Sequence, residues 1–347
     1  AVSTKYALLT SALSGLLISY TTNDFLNNPL KLLYNMVIRV AILMVSVDIT
    51  AHVASLRLRN PIILASGVLG NTGAILRRVA EAGAGAVTTK SIGLEPRKGY
   101  ANPTIVEVDC GFINAMGLPN PGVEEFVSEL KIAKEGGVPV IASVFGSNPK
   151  EYAYVAHKLE EAGADAIELN LSCPHAGGLI QFSQDPEKTY EVVKEVESTV
   201  KIPVFAKLTA EVPRIAEIGL AAEKAGADGV TAINTLRAMA IDIELAVPVL
   251  ANIFGGLSGR AIKPIAVRCV YELYEALNIP IIGVGGVLTP EDVVEFLMAG
   301  ASAVQVGSAI AIRDLKIFKE LAEGLEKFMA RKGFKKLDEI IGIAHRR

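Results

Sequence analysis

The chain contains no tryptophan and only three cysteines, at positions 110, 173 and 269. No two of these are close in sequence, so they support neither a disulfide framework nor a four-cysteine metal or iron–sulfur site built from this chain alone. We therefore expect no metal site. Sparse, unpaired cysteines are typical of a reducing compartment, and we expect a cytoplasmic protein.

The sequence also lacks a run of basic residues. Its formal net charge is -3, and no segment is rich in lysine and arginine, as the surfaces of nucleic-acid-binding domains are. RNA or DNA is therefore not expected as the main partner. With 51% hydrophobic residues in a chain of 347, one large core is possible, and we expect one extended barrel domain.

Residues 1–47 are apolar but contain no convincing membrane span. The uncharged run 7–20 is shorter than the ~20 residues that a spanning helix needs, and the run 32–47 is interrupted by Arg39. A secretory signal is weakly supported, because Lys5 is the only early positive charge. We interpret 1–47 as an apolar N-terminal extension of uncertain status and 48–347 as the catalytic domain.

Three interpretations of this extension stay open. It is a helical pair that lies on a membrane or feeds a quinone, or it is a docking segment for a partner. Alternatively, translation in the cell begins near Met44, and the preceding residues are not part of the cellular protein.

One short sequence motif occurs four times and indicates the fold. Residues 81–87, 161–167, 224–230 and 298–304 each contain Ala-Gly-Ala before an apolar strand, and glycine there is typical of a helix C-terminus. The repeats alternate with further predicted strands and amphipathic helices. The added strands are 62–65, 138–143, 204–207 and 281–284, and the helices include 149–161, 186–199 and 290–298. Eight such units predict an α/β fold, a (β/α)8 TIM barrel.

Two connections exceed the usual short loops of such a barrel. Residues 92–121 follow the second strand, and residues 236–259 follow the sixth. Both excursions begin at the carboxyl end of a strand, where barrel enzymes have their active sites. We expect them to form a lid and the walls of a substrate site.

Each predicted strand ends in or is followed by a polar residue or a glycine. In chain order these are Ser66, Lys90, Ser143, Asn170, Lys207, Asn234, Gly285 with Gly286, and Gly307 with Ser308. The last two pairs begin helices after strands seven and eight, where barrels commonly bind phosphate through backbone N–H groups. A phosphorylated ligand or cofactor is therefore expected.

Eight motifs occur in the order and spacing of one family. They are Ala65-Ser66-Gly67, Thr89-Lys90-Ser91, Asn114 to Asn120, Asn170-Leu171-Ser172-Cys173-Pro174, Asn234-Thr235, Gly256 to Gly259, Gly285-Gly286 and Gly307-Ser308. Residues 48–318 resemble the FMN-dependent dihydroorotate dehydrogenases of the cysteine-dependent class 1. This resemblance implies oxidation of dihydroorotate to orotate in de novo pyrimidine biosynthesis.

The resemblance also implies the site residues. The positions expected to bind FMN are Ser66, Lys90, Ser91, Ser143, Asn170, Lys207, Ile233, Gly259, Gly285, Gly286, Gly307 and Ser308. Those expected to bind the pyrimidine are Lys90, Asn114, Met116, Gly117, Leu118, Asn170, Asn234 and Thr235. Cys173 has the position of the catalytic base, which removes the C5 proton while a hydride passes from C6 to FMN.

The side chains at these positions suit that chemistry. An asparagine amide offers an acceptor and donors to the alternating C=O and N–H groups of a dihydropyrimidine ring. Lys90 and Lys207 would stabilise negative charge on the flavin or on the substrate carboxylate. Cys110 and Cys269 are expected to have no catalytic role.

Three positions depart from the family pattern. His175 follows Cys173-Pro174 where the dihydroorotate enzymes usually have asparagine, and this stretch is also similar to the flavin domain of dihydropyrimidine dehydrogenases. Ser143 stands where an asparagine often approaches the flavin, and Lys207 precedes Leu208 in place of the usual small-proline-asparagine turn. The alternatives are therefore a dihydrouracil or dihydrothymine oxidoreductase, or a non-catalytic flavin-binding electron-transfer subunit.

Electrons must leave the flavin, and the sequence shows no motif for a second cofactor. We expect either a separate iron–sulfur and FAD subunit that passes electrons to NAD, as in one branch of class 1, or a soluble acceptor. The expected assembly is a homodimer or a heterotetramer, and a membrane partner is not expected.

Overall fold

The computed structural model describes residues 47–171 and 182–346. Residues 48–326 with 336–347 form one compact unit, and this unit contains the barrel. The assignment of residues 1–47 as an extension remains a prediction, because nearly all of that segment lies outside the described residues.

An antiparallel hairpin precedes a closed barrel of eight parallel strands. The hairpin consists of β1 (Ala51–Val53) and β2 (Leu56–Leu58). The barrel strands are β3 (Ile62–Leu64), β4 (Ala86–Thr88), β7 (Val140–Val144), β8 (Ala166–Asn170), β9 (Val204–Leu208), β10 (Gly229–Ala232), β15 (Ile281–Val284) and β16 (Ala303–Val306). They close in the order β10-β15-β16-β3-β4-β7-β8-β9, and the predicted (β/α)8 barrel is confirmed.

Helices follow the barrel strands and cover them. They are α1 (Gly73–Glu81), α2 (Val123–Lys134), α3 (Pro149–Glu161), α4 (Pro186–Glu197), α5 (Ile215–Ala225), α6 (Lys263–Ala276), α7 (Pro290–Met298), α8 (Ala309–Arg313) and α9 (Ile317–Lys332). Because helices pack on the outer face and side chains fill the interior, the strands are almost entirely buried and most of their residues are apolar.

Capping residues explain where three of the predicted helices begin. The side chains of Asn148, Asp185 and Thr289 each accept a hydrogen bond from a backbone N–H of the first turn. Proline follows each cap, where its fixed φ suits a helix and its missing N–H costs nothing. The predicted helices 149–161 and 290–298 therefore match α3 and α7, whereas the helix predicted over 186–199 ends at Glu197.

The two long excursions pair with each other. Residues 92–121 contain β5 (Ile105–Val108) and β6 (Gly111–Asn114), and residues 236–259 contain β11 (Leu236–Ala238) and β14 (Gly255–Ser258). These strands form one antiparallel sheet in the order β11-β14-β6-β5. A short hairpin of β12 (Ile241–Asp242) and β13 (Val247–Pro248) extends from it. The predicted excursions are confirmed, and they build a single wall.

The described portions of the chain contain no helix that is both long and apolar enough to cross a bilayer.

Candidate active site

A cavity of about 420 Å³ lies at the carboxyl ends of the barrel strands. One side is formed by strand ends and the loops that follow them, and the other side by residues of the excursion sheet such as Ile105, Phe112 and Ser258. This volume is in the range of small-molecule and cofactor sites. The carboxyl face is also where barrel enzymes have their active sites.

The cavity brings together residues that are far apart in sequence. Every position predicted to bind the pyrimidine lines it, namely Lys90, Asn114, Met116, Gly117, Leu118, Asn170, Asn234 and Thr235. The positions predicted to bind FMN that also line it are Ser66, Lys90, Ser91, Asn170, Lys207, Ile233, Gly259, Gly285, Gly286, Gly307 and Ser308. Ser143 is not among the lining residues. Cys173 and His175 lie outside the described residues.

Ser143 contacts the cavity wall through another serine. The Ser143 and Ser91 hydroxyls are 3.0 Å apart, and the Ser91 hydroxyl is 3.3 Å from that of Ser66. The Asn170 amide donates to Ser91 Oγ at 3.0 Å, while the Tyr152 hydroxyl donates to the Asn170 carbonyl at 2.9 Å. Ser143 therefore hydrogen-bonds to Ser91, and Ser91 in turn hydrogen-bonds to Asn170.

The three predicted pyrimidine-binding asparagines come from different elements. Asn170 ends β8, Asn234 follows β10, and Asn114 ends β6 in the excursion sheet. Asn234 Nδ2 donates to Asn170 Oδ1 at 3.3 Å, and Asn114 Nδ2 donates to the Gly256 carbonyl at 3.3 Å. Gly256 pairs with Asn114 between β14 and β6. The two excursions together therefore place one of the three amides.

Two lysines contribute buried positive charge to the cavity. Lys90 and Lys207 are only 6% and 5% exposed. Lys90 Nζ donates to the Gly67 carbonyl at 3.5 Å, and Lys207 Nζ donates to Glu168 Oε1 at 3.1 Å. Lysine is seldom buried without a specific partner or task. Glu168 offsets the charge of Lys207, and the Lys90 ammonium at the cavity favours an anionic ligand.

Three polar residues beside Lys207 are not among the positions predicted from the sequence. Glu168, Thr231 and Gln305 are buried on β8, β10 and β16. They are joined by hydrogen bonds, since Glu168 accepts from the Thr231 hydroxyl at 3.1 Å and from the Gln305 amide at 2.6 Å. The sequence feature that could have indicated this network is the presence of a glutamate and a glutamine inside otherwise apolar strands.

The glycine pair after β15 requires glycine for steric reasons. Gly286 has φ +75°, and a Cβ there would lie 2.7 Å from Lys263 Cβ and 2.8 Å from the Gly259 carbonyl oxygen. Gly285 has φ +131°. With Gly307 and Ser308, these residues give the cavity a backbone wall without bulky side chains. Such a wall lets N–H groups approach a phosphate closely.

Both described cysteines are outside the cavity. Cys110 is exposed between β5 and β6. Cys269 is buried in α6, where desolvation raises the pKa of its thiol to about 11. Only the thiolate is a strong base or nucleophile, so Cys269 is inert near neutral pH.

Comparison with known proteins agrees with this geometry. The family model for dihydroorotate dehydrogenase matches residues 48–329. The chain belongs to the dihydroorotate dehydrogenase family. Its barrel strands, excursion sheet and cavity all lie within the matched range. Dihydroorotate dehydrogenases of this kind are FMN-dependent oxidoreductases of pyrimidine biosynthesis, and the predicted family, enzyme class and cofactor are confirmed.

Several relatives named dihydroorotate dehydrogenase B (NAD(+)), catalytic subunit, match along almost their whole length. The protein from Pyrococcus furiosus is 57% identical over 289 residues, which cover 83% of this chain and 95% of the relative. The protein from Methanocella arvoryzae is 56% identical over 299 residues, covering 86% and 98%. The protein from Methanocaldococcus jannaschii is 51% identical over 299 residues, covering 85% and 97%.

The cavity residues fit FMN. The glycine-lined backbone suits a phosphate, the buried lysines suit a cofactor that gains negative charge on reduction, and the serine and asparagine groups can hydrogen-bond to a flavin ring. Asn114 and Asn234 line the same cavity and add two further amide groups to it.

Proposed function

We propose that this chain is the catalytic subunit of an NAD-linked dihydroorotate dehydrogenase, in which the cavity binds FMN and dihydroorotate together. The observation that carries the proposal is the cavity itself. One space of about 420 Å³ is lined by eight predicted pyrimidine-binding positions and eleven predicted FMN-binding positions. Lys90 and Asn170 belong to both sets.

The asparagines orient the substrate ring. Asn114, Asn170 and Asn234 present amide donors and acceptors from three elements, and two of them are hydrogen-bonded to each other. A bonded pair of amides has fixed orientation, so the directions in which it can meet a ring are defined before substrate arrives. Lys90, which lines the same cavity, supplies a positive charge for the substrate carboxylate.

Cys173 removes the C5 proton. It follows Asn170 by three residues in the sequence, so one short stretch of sequence supplies both an orienting amide and the base. A thiolate is the reactive form of cysteine, and the proton it accepts comes from the carbon next to the one that loses a hydride. FMN, when bound, supplies the hydride acceptor.

Residues after β15 and β16, together with Lys207 on β9, hold the cofactor. Gly285, Gly286, Gly307 and Ser308 bind the phosphate through backbone groups, and Lys207 favours the negative charge of the reduced state. Ser143 acts through its hydrogen bond to Ser91.

Electrons then pass to a separate subunit. The relatives are named as catalytic subunits of NAD-linked enzymes, and no second cofactor motif occurs in the sequence. An iron–sulfur and FAD subunit that reduces NAD is therefore the proposed partner, within a cytoplasmic heterotetramer built on a dimer of this chain.

Two assays test these roles. The flavin-loaded chain should reduce an artificial dye with dihydroorotate, and Cys173→Ala should slow this reaction about 10²- to 10⁴-fold near neutral pH, which is the usual contribution of a general base. Cys110→Ala is the matched control and should keep full activity. Equal rates for the Cys173→Ala and Cys110→Ala variants would contradict the assignment of the base.

The partner is tested with NAD as the acceptor. The chain alone should reduce the dye but not NAD, and NAD reduction should appear when the electron-transfer subunit from the same cells is added. Rapid NAD reduction by the isolated chain would contradict the need for a partner.

A further inference from the structure

Glu168 is a carboxylate with no exposed surface. It lies on β8 two residues before Asn170, so both side chains face the same side of the strand. Its Oε1 accepts from Lys207 Nζ at 3.1 Å, and its Oε2 accepts from the Thr231 hydroxyl at 3.1 Å and from Gln305 Nε2 at 2.6 Å. A carboxylate is kept in the interior only where such partners replace its water.

Gln305 links the two charges. Its amide nitrogen donates to Glu168 Oε2 at 2.6 Å, and its amide oxygen accepts from Lys207 Nζ at 3.3 Å. An amide between a carboxylate and an ammonium has only one favourable orientation, because its NH₂ must face the anion and its oxygen must face the cation. The Lys207 ammonium is therefore held by two acceptors that are themselves fixed.

Glu168 differs from Lys207 and Gln305 in its access to the cavity. Lys207 and Gln305 line it, whereas Glu168 is not among the lining residues. Glu168 therefore acts on a ligand in the cavity through the position of Lys207 and through its own charge.

We infer that Glu168 is a positioning residue that fixes Lys207 and offsets its charge, and thereby lowers the reduction potential of the bound FMN. The inference rests on the proposed function in one respect, which is that the cavity holds FMN. Reduction adds negative charge to a flavin, so an unopposed ammonium nearby favours the reduced state. The charge near the flavin ring is one of the means by which a protein tunes this cofactor.

The test is the midpoint potential of FMN bound to the full chain, measured by anaerobic reduction against reference dyes. Glu168→Gln keeps the size of the side chain and an acceptor for Lys207, but it removes the charge and turns an NH₂ group toward Thr231 and Gln305. We expect its equilibrium to shift at least tenfold toward reduced flavin, which is a rise of about 30 mV for a two-electron couple. A smaller shift, or a fall, would overturn the inference.

Thr231→Val is the matched control. It removes a hydrogen bond to the same carboxylate and leaves every charge in place, so the equilibrium should stay within about threefold of wild type. If both variants shifted the potential equally, hydrogen bonding or packing would explain the effect, and the role assigned to the Glu168 charge would be wrong.

Glu168→Asp keeps the test valid if the Glu168→Gln protein does not fold. It retains the charge but withdraws the carboxylate from Lys207 by one methylene, and we expect a shift of at least threefold in the same direction. An unchanged potential would overturn the inference. Wild-type protein that binds no FMN would instead refute the proposed function, so the two failures are distinguishable.

Discussion

The Asn234 amide donates a hydrogen bond to the Asn170 amide oxygen at 3.3 Å, although the two residues lie at the ends of strands that are not neighbours. Asn170 ends β8 and Asn234 follows β10, with β9 between them. Asn170 also donates to Ser91. The amides thus form one network, which fixes the orientation of each before a ligand binds.

Removing either amide should impair use of the substrate. We expect Asn170→Ala and Asn234→Ala each to lower kcat/KM for dihydroorotate about 10- to 100-fold, since each loses hydrogen bonds to the ring and unpairs its partner. Because the two residues share a bond, the double variant should lose less than the product of the single losses. Steady-state kinetics checks this, with Asn252→Ala as a control in an exposed loop. Fully multiplicative losses would contradict the network.

Gly286 should be intolerant of any side chain. Gly286→Ala places a Cβ 2.8 Å from the Gly259 carbonyl oxygen at a φ of +75°, so the loop must move, and we expect FMN affinity to fall at least tenfold. Gly137→Ala is the matched control, because Gly137 has φ +69°, has no atom within 4 Å of the point where a Cβ would lie, and is outside the cavity. It should cost about 1 kcal/mol of stability and leave FMN affinity unchanged. Fluorescence titration of apoprotein with FMN compares the two, and equal affinities would contradict the phosphate assignment.

Asp292 should stabilise the fold in a pH-dependent way. Burial acts to raise its pKa, but hydrogen bonds from Lys263 and from two backbone N–H groups outweigh burial, and the pKa lies below the ordinary value of 3.8. A lowered pKa in the folded state means that the stabilisation is fully present above pH 3.8 and is lost as the pH falls through the lowered value.

The Asp292→Asn variant tests that sign. It should lose about 1–3 kcal/mol of unfolding free energy at pH 7, and the difference from wild type should shrink below pH 4. Urea unfolding at several pH values measures it. A difference that grows as the pH falls would contradict the direction of the pKa shift.

Two adjacent threonines should respond oppositely to the same change. Among the described residues the Thr88 hydroxyl is buried without a hydrogen-bond partner, whereas the Thr89 hydroxyl donates to the Lys90 carbonyl at 2.8 Å and accepts from Ser143 N–H at 3.0 Å. Thr88→Val should raise the unfolding free energy by about 1 kcal/mol, and Thr89→Val should lower it by about 1–3 kcal/mol. Thermal or urea unfolding of both variants gives the comparison, and destabilisation by Thr88→Val would show that this hydroxyl has a partner.

The barrel was predictable because its signals are local. A capping side chain and a proline in the first turn mark the starts of α3 and α7. The repeated Ala-Gly-Ala motif marks the turn from a helix into a strand. Such signals depend on residues within one or two turns of each other. The strand over 281–284 was predicted with the bounds that the structure has.

The joining of the two excursions was not predictable in the same way. Asn114 and Gly256 pair across 142 residues of sequence, and no local pattern selects that register. The network of Glu168 and Gln305 was missed for a related reason. Each residue alone resembles an isolated polar residue in an apolar strand, and only barrel closure brings β8 and β16 side chains together.

Anaerobic titration of the flavin tests the central claim most directly. The purified FMN-loaded chain is titrated with dihydroorotate, and in a separate cuvette with dihydrouracil, which lacks the carboxylate, while the absorbance of oxidised flavin is followed. Stoichiometric bleaching by dihydroorotate, with no bleaching by dihydrouracil at the same concentrations, is the result we predict. Bleaching by dihydrouracil alone, or by neither compound, would contradict the assignment of this cavity to dihydroorotate oxidation.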